Sequence, residues 1–175
     1  MRMRGLSLSR KLPSWSHALG VIALWHLLFD TYFYWSHRLL HESKFLYKHV
    51  HSQHHRFKSP VGFAAVYAHP VEDVLVNAAS TVIGPCLYPS HVLVWWAYLA
   101  VRMLETLDAH CGYELPFSMW RLFPLSLIHG GPARHDFHHS HVNQGCYGGF
   151  KFWDWLMGTD QQFRQYKGQA GNGAS

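Results

Sequence analysis

Eight of the chain's histidines fall in three short runs: HRLLH at 37–41, HSQHH at 51–55 and HDFHH at 135–139. On a helix, residues three and four apart share a face. His37 and His41 therefore point the same way, and in each H-x-x-H-H run the first imidazole neighbours both later ones. At about 100° per residue these three fall within an arc of roughly 100°, so each run can aim two or three imidazoles at one point. Together His37, His41, His51, His54, His55, His135, His138 and His139 exceed what one metal ion needs. The pattern points to a site for two ions.

Imidazole suits iron, copper and zinc alike, so ligand type alone does not choose the metal. HRLLH has the histidine spacing of a zinc finger, but no C-x-x-C precedes it. A zinc hydrolase would need a general base such as the Glu of H-E-x-x-H, and that motif does not occur. The formal charge of +5 is not gathered into a Lys/Arg stripe, which argues against nucleic acid and fits an anionic membrane surface. Cys86, Cys111 and Cys146 are scattered and read as reduced core residues rather than a disulfide framework. Among the other histidines, His49 falls opposite His51 and His141 lies at the fringe of its arc. His17 and His91 read as interfacial, and His129, before a Gly-Gly pair, as a backbone contact. His69, with Glu72 three residues on, reads as structural or as support for a ligand.

The elements that must position these runs are apolar. Hydrophobic residues make up 49% of the chain and charged residues only 14%, and a length of 175 residues suits one domain. Ala18–Trp35 is apolar enough to span a bilayer or nearly so. It carries His26 and Asp30, which share a helix face with His37 and His41. A polar stripe on an apolar helix faces protein or a cavity. Asp30 lies roughly 10 Å along the axis from His37, too far to orient it. It either supports a histidine of another helix or caps a buried polar network.

A second apolar region, Val71–Leu107, is interrupted at GPCLYPS (84–90), where two prolines and a glycine predict a turn. Arms Val74–Ile83 and Val92–Leu104 would then form a hairpin that returns the chain to the side it left. HSQHH, His110 and HDFHH would share that side. Each arm is short for a full span, so a re-entrant or monotopic hairpin is the alternative. Trp95 and Trp96 suit a membrane-interface belt. Residues 1–16 read as a basic leader, 17–167 as the domain and 168–175 as a flexible tail.

In order, FYWSHRLLH (33–41), YKHVHSQHH (47–55), HPVE (69–72), HCGYELP (110–116), HDFHHSH (135–141) and FWDWLMGTD (152–160) resemble the fatty acid hydroxylase superfamily. This superfamily comprises sterol hydroxylases, C4-methylsterol oxidases, sterol desaturases and related enzymes. The stretch GGPARHDFHHSH with WDWLMGT is most similar to the cholesterol 25-hydroxylase branch. The resemblance implies an all-α, membrane-embedded helical domain with a histidine-rich di-metal cap on the cytosolic side. It implies two iron ions held by the three runs, with His110 as a ninth ligand. Asp30, Asp136 and Tyr113 are expected behind the ligands, although Tyr113 also suits simple packing.

The resemblance further implies dioxygen, electrons from a haem carrier or its reductase, a sterol or other lipid substrate, and the endoplasmic reticulum membrane. Hydroxylation is the expected reaction. A desaturase using the same site, or a shortened, non-catalytic metal-binding membrane protein, are the alternatives. Two departures stand out. Arg134 occupies a place where the family often has histidine, and Thr106 stands one turn before His110, which favours the sterol-type branch. The chain also starts close to its first motif, which leaves a shortened protein open.

Overall fold

The computed structural model describes residues 2–3, 5–58, 61–116, 118, 121, 123–141 and 145–172. It is mostly helical. A short hairpin, β1 (Arg2–Met3) with β2 (Leu6–Ser7), precedes α1 (Trp15–Glu42). The Ser14 hydroxyl accepts from the His17 amide and starts α1; Ser43 ends it and caps α2 (Lys44–His49) through the Leu46 amide. Two 3-10 turns follow, His51–Arg56 and Gly62–Val66. Then α3 (Pro70–Glu72), a π-helical stretch (Asp73–Ala78) and α4 (Ala79–Leu87) run on end to end. After α5 (Val92–Ala109) come four shorter helices: α6 (Leu125–Ile128), α7 (Pro132–Ser140), α8 (Lys151–Met157) and α9 (Gln161–Asn172).

α1 is the spine, about 40 Å long at 1.5 Å per residue. Its buried stripe is Trp25, His26, Phe29, Asp30, Tyr34, His37, Leu40 and His41, spaced three and four apart. All four polar members of the expected stripe therefore face protein. At one end Trp25, Val94 and Tyr98 form a core cluster joining α1 to α5, and the Trp25 indole donates to the Tyr88 carbonyl at 3.1 Å. Burial of each such large apolar side chain stabilises by about 1.5–3 kcal/mol. α4 packs close against α1 because Gly84 lacks a side chain: a Cβ there would meet Trp25 ring carbon at 2.6 Å.

That contact explains one departure from the sequence reading. The chain does not turn at Gly84–Pro85. It continues helically through Leu87, with Pro85 buried inside α4, and turns at Tyr88–His91. Tertiary packing on Trp25 outweighs the local breaker signal. The second arm also runs on to Ala109, so His69 and His110 still bracket a helical pair.

One further expectation is corrected. Among the described residues no helix is long and apolar enough to cross a membrane, α1 included, where His26, Asp30 and His37 interrupt the apolar run. The segment expected as a flexible tail continues α9 through Asn172; residues 173–175 lie outside the described residues. Trp95 packs on Trp25 and Tyr98, while Trp96 is exposed together with Trp15, Leu19, Leu27, Val74 and Leu93.

Candidate metal centre

The nine histidines singled out by motif and resemblance converge, but not run by run. His37, His41, His51, His55 and His138 form one group; His54, His110, His135 and His139 form the other. Within each group the ligand atoms lie within 4.8 Å of one another. HRLLH serves the first group alone. Each H-x-x-H-H run straddles both: the 3-10 turn sends His51 and His55 to the first and His54 to the second, and α7 sends His138 to the first and His135 and His139 to the second. One run does not aim at one point, as the helical arc implied. The groups adjoin, with the His55 and His139 rings 4.6 Å apart.

The Nε2 atoms face each other. His51 Nε2 lies 2.8 Å from that of His41, 3.0 Å from that of His55 and 3.1 Å from that of His37. In the second group His135 Nε2 lies 2.8 Å from that of His110 and 3.1 Å from that of His139. His37, His110 and His138 do not donate through Nε2. His37 Nδ1–H donates to the Tyr147 carbonyl at 2.7 Å, His110 Nδ1–H to the Thr106 carbonyl at 2.7 Å and His138 Nδ1–H to the Gly145 carbonyl at 2.9 Å. A carbonyl can only accept. The proton of each neutral ring is therefore on Nδ1, and Nε2 presents a lone pair.

Lone pairs converging at about 3 Å repel unless a cation lies between them. Nitrogens about 2.1 Å from one ion and at right angles would be about 3 Å apart. His138 Nε2 is buried without a hydrogen-bond partner, as a ligand waiting on an ion would be. The donor set fits a metal ion in each group.

Burial keeps the imidazoles neutral, the form that binds metal. It lowers His37 and His54 to about 3, His110 to about 4 and His139 to about 2. It holds His51, His55, His135 and His138 well below the usual histidine range. A carboxylate stands behind His51: Glu72, 3% exposed, places Oε1 2.9 Å from His51 Nδ1. Burial pushes Glu72 up to about 8.

The carbonyls that hold His37 and His138 belong to one loop, which two aspartates pin. Asp154 is fully buried. Its Oδ1 accepts from the Tyr147 amide at 2.9 Å and the Thr159 hydroxyl at 2.6 Å, and its Oδ2 from the Gly148 amide at 2.9 Å. Arg134 pairs with the same Oδ2 at 2.8 Å, so the arginine that replaces a family histidine is a structural counter-ion. Asp30 Oδ1 accepts from the Phe150 amide at 2.8 Å. It caps the loop and touches no clustered imidazole. Gly145 has a φ of +96°, and a Cβ there would stand 1.7 Å from the Thr159 carbonyl oxygen.

Two expected supporting residues are elsewhere. Tyr113 is 71% exposed and, among the described residues, hydrogen-bonds through its backbone to Cys111. Asp136 is partly exposed on the flank of α7, with no hydrogen bond from its carboxylate to a clustered ring among the described residues. The other histidines take backbone roles: His69 and His91 accept from the Val71 and Leu93 amides and cap α3 and α5, and His129 accepts from the Gly131 amide. His49 is exposed, and His141 contacts Ser140 and Phe137. The sequence reading named Glu72 only as a neighbour of His69 and missed Asp154. The signal for Asp154 was a charge inside the apolar stretch FWDWLM.

His37, His54, His110 and His135 also form one end of a cavity of about 580 Å³. Its walls are largely apolar, Phe29 and Phe33 of α1, Val74, Ala78 and Val82 of the helical run 70–87, and Trp95, Leu99 and Met103 of α5, with Asp73, Asn77, Thr81 and Arg102 among them. The helical scaffold thus joins two all-imidazole clusters, each able to hold a metal ion, to a largely apolar cavity.

The fatty acid hydroxylase family model matches residues 22–159, and the chain belongs to this family. It is 41% identical over 175 residues to methylsterol monooxygenase 2-2 of Arabidopsis thaliana, covering 98% of this chain and 64% of that protein. It is 40% identical over 169 residues to the very-long-chain aldehyde decarbonylase GL1-11 of Oryza sativa subsp. indica, covering 95% and 62%. Methylsterol monooxygenase 2-1 of Arabidopsis thaliana is 37% identical over 181 residues, with 95% and 65% covered. The chain thus spans a little under two thirds of the length of these relatives. No solved structure matches it.

Proposed function

We propose that the protein is a membrane-associated, non-haem di-iron oxygenase that hydroxylates a C–H bond of a sterol or another lipid. The observation that carries this reading is the opening of both histidine clusters into one apolar cavity of about 580 Å³, a volume in the usual range for small-molecule sites. His37, His41, His51, His55 and His138 would hold one ion, and His54, His110, His135 and His139 the other. Iron bound there would supply dioxygen reduction and C–H oxidation, which redox-inert zinc could not.

The chain's own residues supply the rest. The Nδ1–H bonds to Tyr147, Gly145 and Thr106 fix the ring tautomers, and Glu72 holds a proton at His51 Nδ1. Phe29 and Phe33 would exclude water from a lipid beside the clusters. Unlike soluble di-iron carboxylate sites, neither group contains a carboxylate ligand. Exposed Trp15, Leu19, Leu27, Leu93 and Trp96 suit a surface partly embedded in lipid. Electrons would come from a haem carrier or its reductase, and the setting would be the endoplasmic reticulum with the clusters facing the cytosol.

The test is lipid mass spectrometry on cells expressing the chain, against a His138→Ala control. A lipid one oxygen heavier, absent in the control, supports hydroxylation and reveals the substrate. A product two hydrogens lighter replaces it with desaturation, and loss of an aldehyde to a hydrocarbon replaces it with the chemistry that the decarbonylase relatives are named for. Identical lipids in both overturn the enzymatic reading in favour of a non-catalytic metal-binding protein.

A further inference from the structure

The apolar cavity has a polar inner end that the metal clusters do not use. Beside its main volume lies a narrow extension of about 70 Å³, bounded by Arg102, Glu105 and His129 and sharing Phe29, Phe33, Thr106, His110 and His135 with it. Glu105, on α5, is 2% exposed. One of its oxygens, Oε2, is occupied: Arg102 Nη1 donates to it, and His26 Nε2 lies 3.3 Å away. The other, Oε1, is buried with no hydrogen-bond partner, and His129 Nε2 stands 4.0 Å off. Arg102 Nε is likewise buried and unpartnered, while its guanidinium lies 3.5 Å over the Phe29 ring.

An unmet buried donor and an unmet buried acceptor on neighbouring residues are each costly. A hydroxyl, which donates one hydrogen bond and accepts others, satisfies both at once. A carboxylate would satisfy Arg102 but face the Glu105 oxygen. An alkane would leave both unmet.

We infer that this end of the cavity is a hydroxyl-binding subsite, in which Arg102 Nε–H donates to the hydroxyl of a lipid alcohol and Glu105 Oε1 accepts from it. The inference rests on the reading of the cavity as a lipid site. It adds that the lipid is an alcohol entering oxygen first, and that Arg102 and Glu105 set specificity rather than hold metal.

The test is a binding assay on the full chain in detergent, independent of metal and turnover. Trp95 lines the cavity, so energy transfer from tryptophan to dehydroergosterol, a fluorescent sterol alcohol, reports occupancy. Cholesterol and 5α-cholestane, which lacks the hydroxyl, are then compared as competitors. Cholesterol should compete about tenfold to a hundredfold better, as expected of hydrogen bonds to charged groups. In Arg102→Met and Glu105→Gln the two should approach equality, with cholestane unchanged as the control for an intact cavity.

Equal competition in the unmodified chain overturns the inference, since water alone would then serve the pair; this comparison decides even if neither variant folds. Octadecanoate outcompeting octadecanol also overturns it, in favour of an anion site. A retained hydroxyl preference without any oxidised product would sink the oxygenase reading and leave this subsite standing. An oxidised product without that preference would do the reverse.

Discussion

Replacing Asp154 by Asn should weaken both the fold and one half of the site. The carboxylate is the only counter-charge paired with Arg134 among the described residues, and both side chains are at most 4% exposed. Removing one partner of a buried pair costs about 3–5 kcal/mol, because the other charge is left uncompensated. The amide also places a donor where Oδ1 or Oδ2 now accepts from the Tyr147 and Gly148 amides. For a chain of this length each kcal/mol lowers Tm by about 2–4 °C, so a fall of roughly 6–20 °C is expected. The same loop presents the Tyr147 and Gly145 carbonyls to His37 and His138. Metal affinity of the first group should therefore drop about 10–100-fold, as when other supports behind ligands are lost. The second group does not lean on that loop. Circular-dichroism melting and metal analysis on the same preparation read both effects. A Tm within about 2 °C of the unmodified chain, or an equal loss of metal from both groups, would refute the reasoning.

Other outcomes follow from the same geometry. Glu72→Gln removes the carboxylate 2.9 Å from His51; metal at the first group should bind about tenfold or more weakly, as titration with a competing chelator would show, while the melting temperature of the metal-free chain changes little. Gly84→Leu should destabilise by about 1–3 kcal/mol or more through overpacking against Trp25, visible as a lower denaturation midpoint with metal stoichiometry retained.

The metal-free chain should lose stability on acidification. His26, His37, His54, His110 and His129 are lowered by burial to about 3–4, so below the unfolded value of about 6.5 the unfolded chain takes up protons that the folded chain refuses. Asp30 and Glu72, raised to about 7 and about 8, act in the opposite sense but are outnumbered. The histidine contribution should be full above pH 6.5 and fall between about 6.5 and 3, while that of Asp30 and Glu72 is lost as pH rises through about 7 to 8; a midpoint that rises as pH drops from 6.5 to 3 would contradict it.

The part of this site that sequence made legible is what repeats at helical spacing. His37/His41 and His135/His139 sit four apart on helices and do share a group. The division of His51, His54 and His55 was not legible, because it depends on a 3-10 turn rather than an α-helix. Asp30 was correctly kept away from His37, since helix rise forbade the contact, but its partner, the Phe150 amide, is 120 residues away and no local pattern announces it. Gly84–Pro85 read as a turn because breaker signals are local, whereas the helix there is held by Trp25 from another element. Asp154 was visible as a charge in apolar surroundings, yet only the tertiary structure says what it and Glu105 hold.

The most direct test of the central claim is the iron content of the purified chain beside a variant that removes ligands from one group only. The unmodified chain should bind two irons, and His110→Ala with His135→Ala should bind one, leaving the His37, His41, His51, His55 and His138 group loaded. A single iron in the unmodified chain, or no change on removing both ligands, would contradict a two-metal centre.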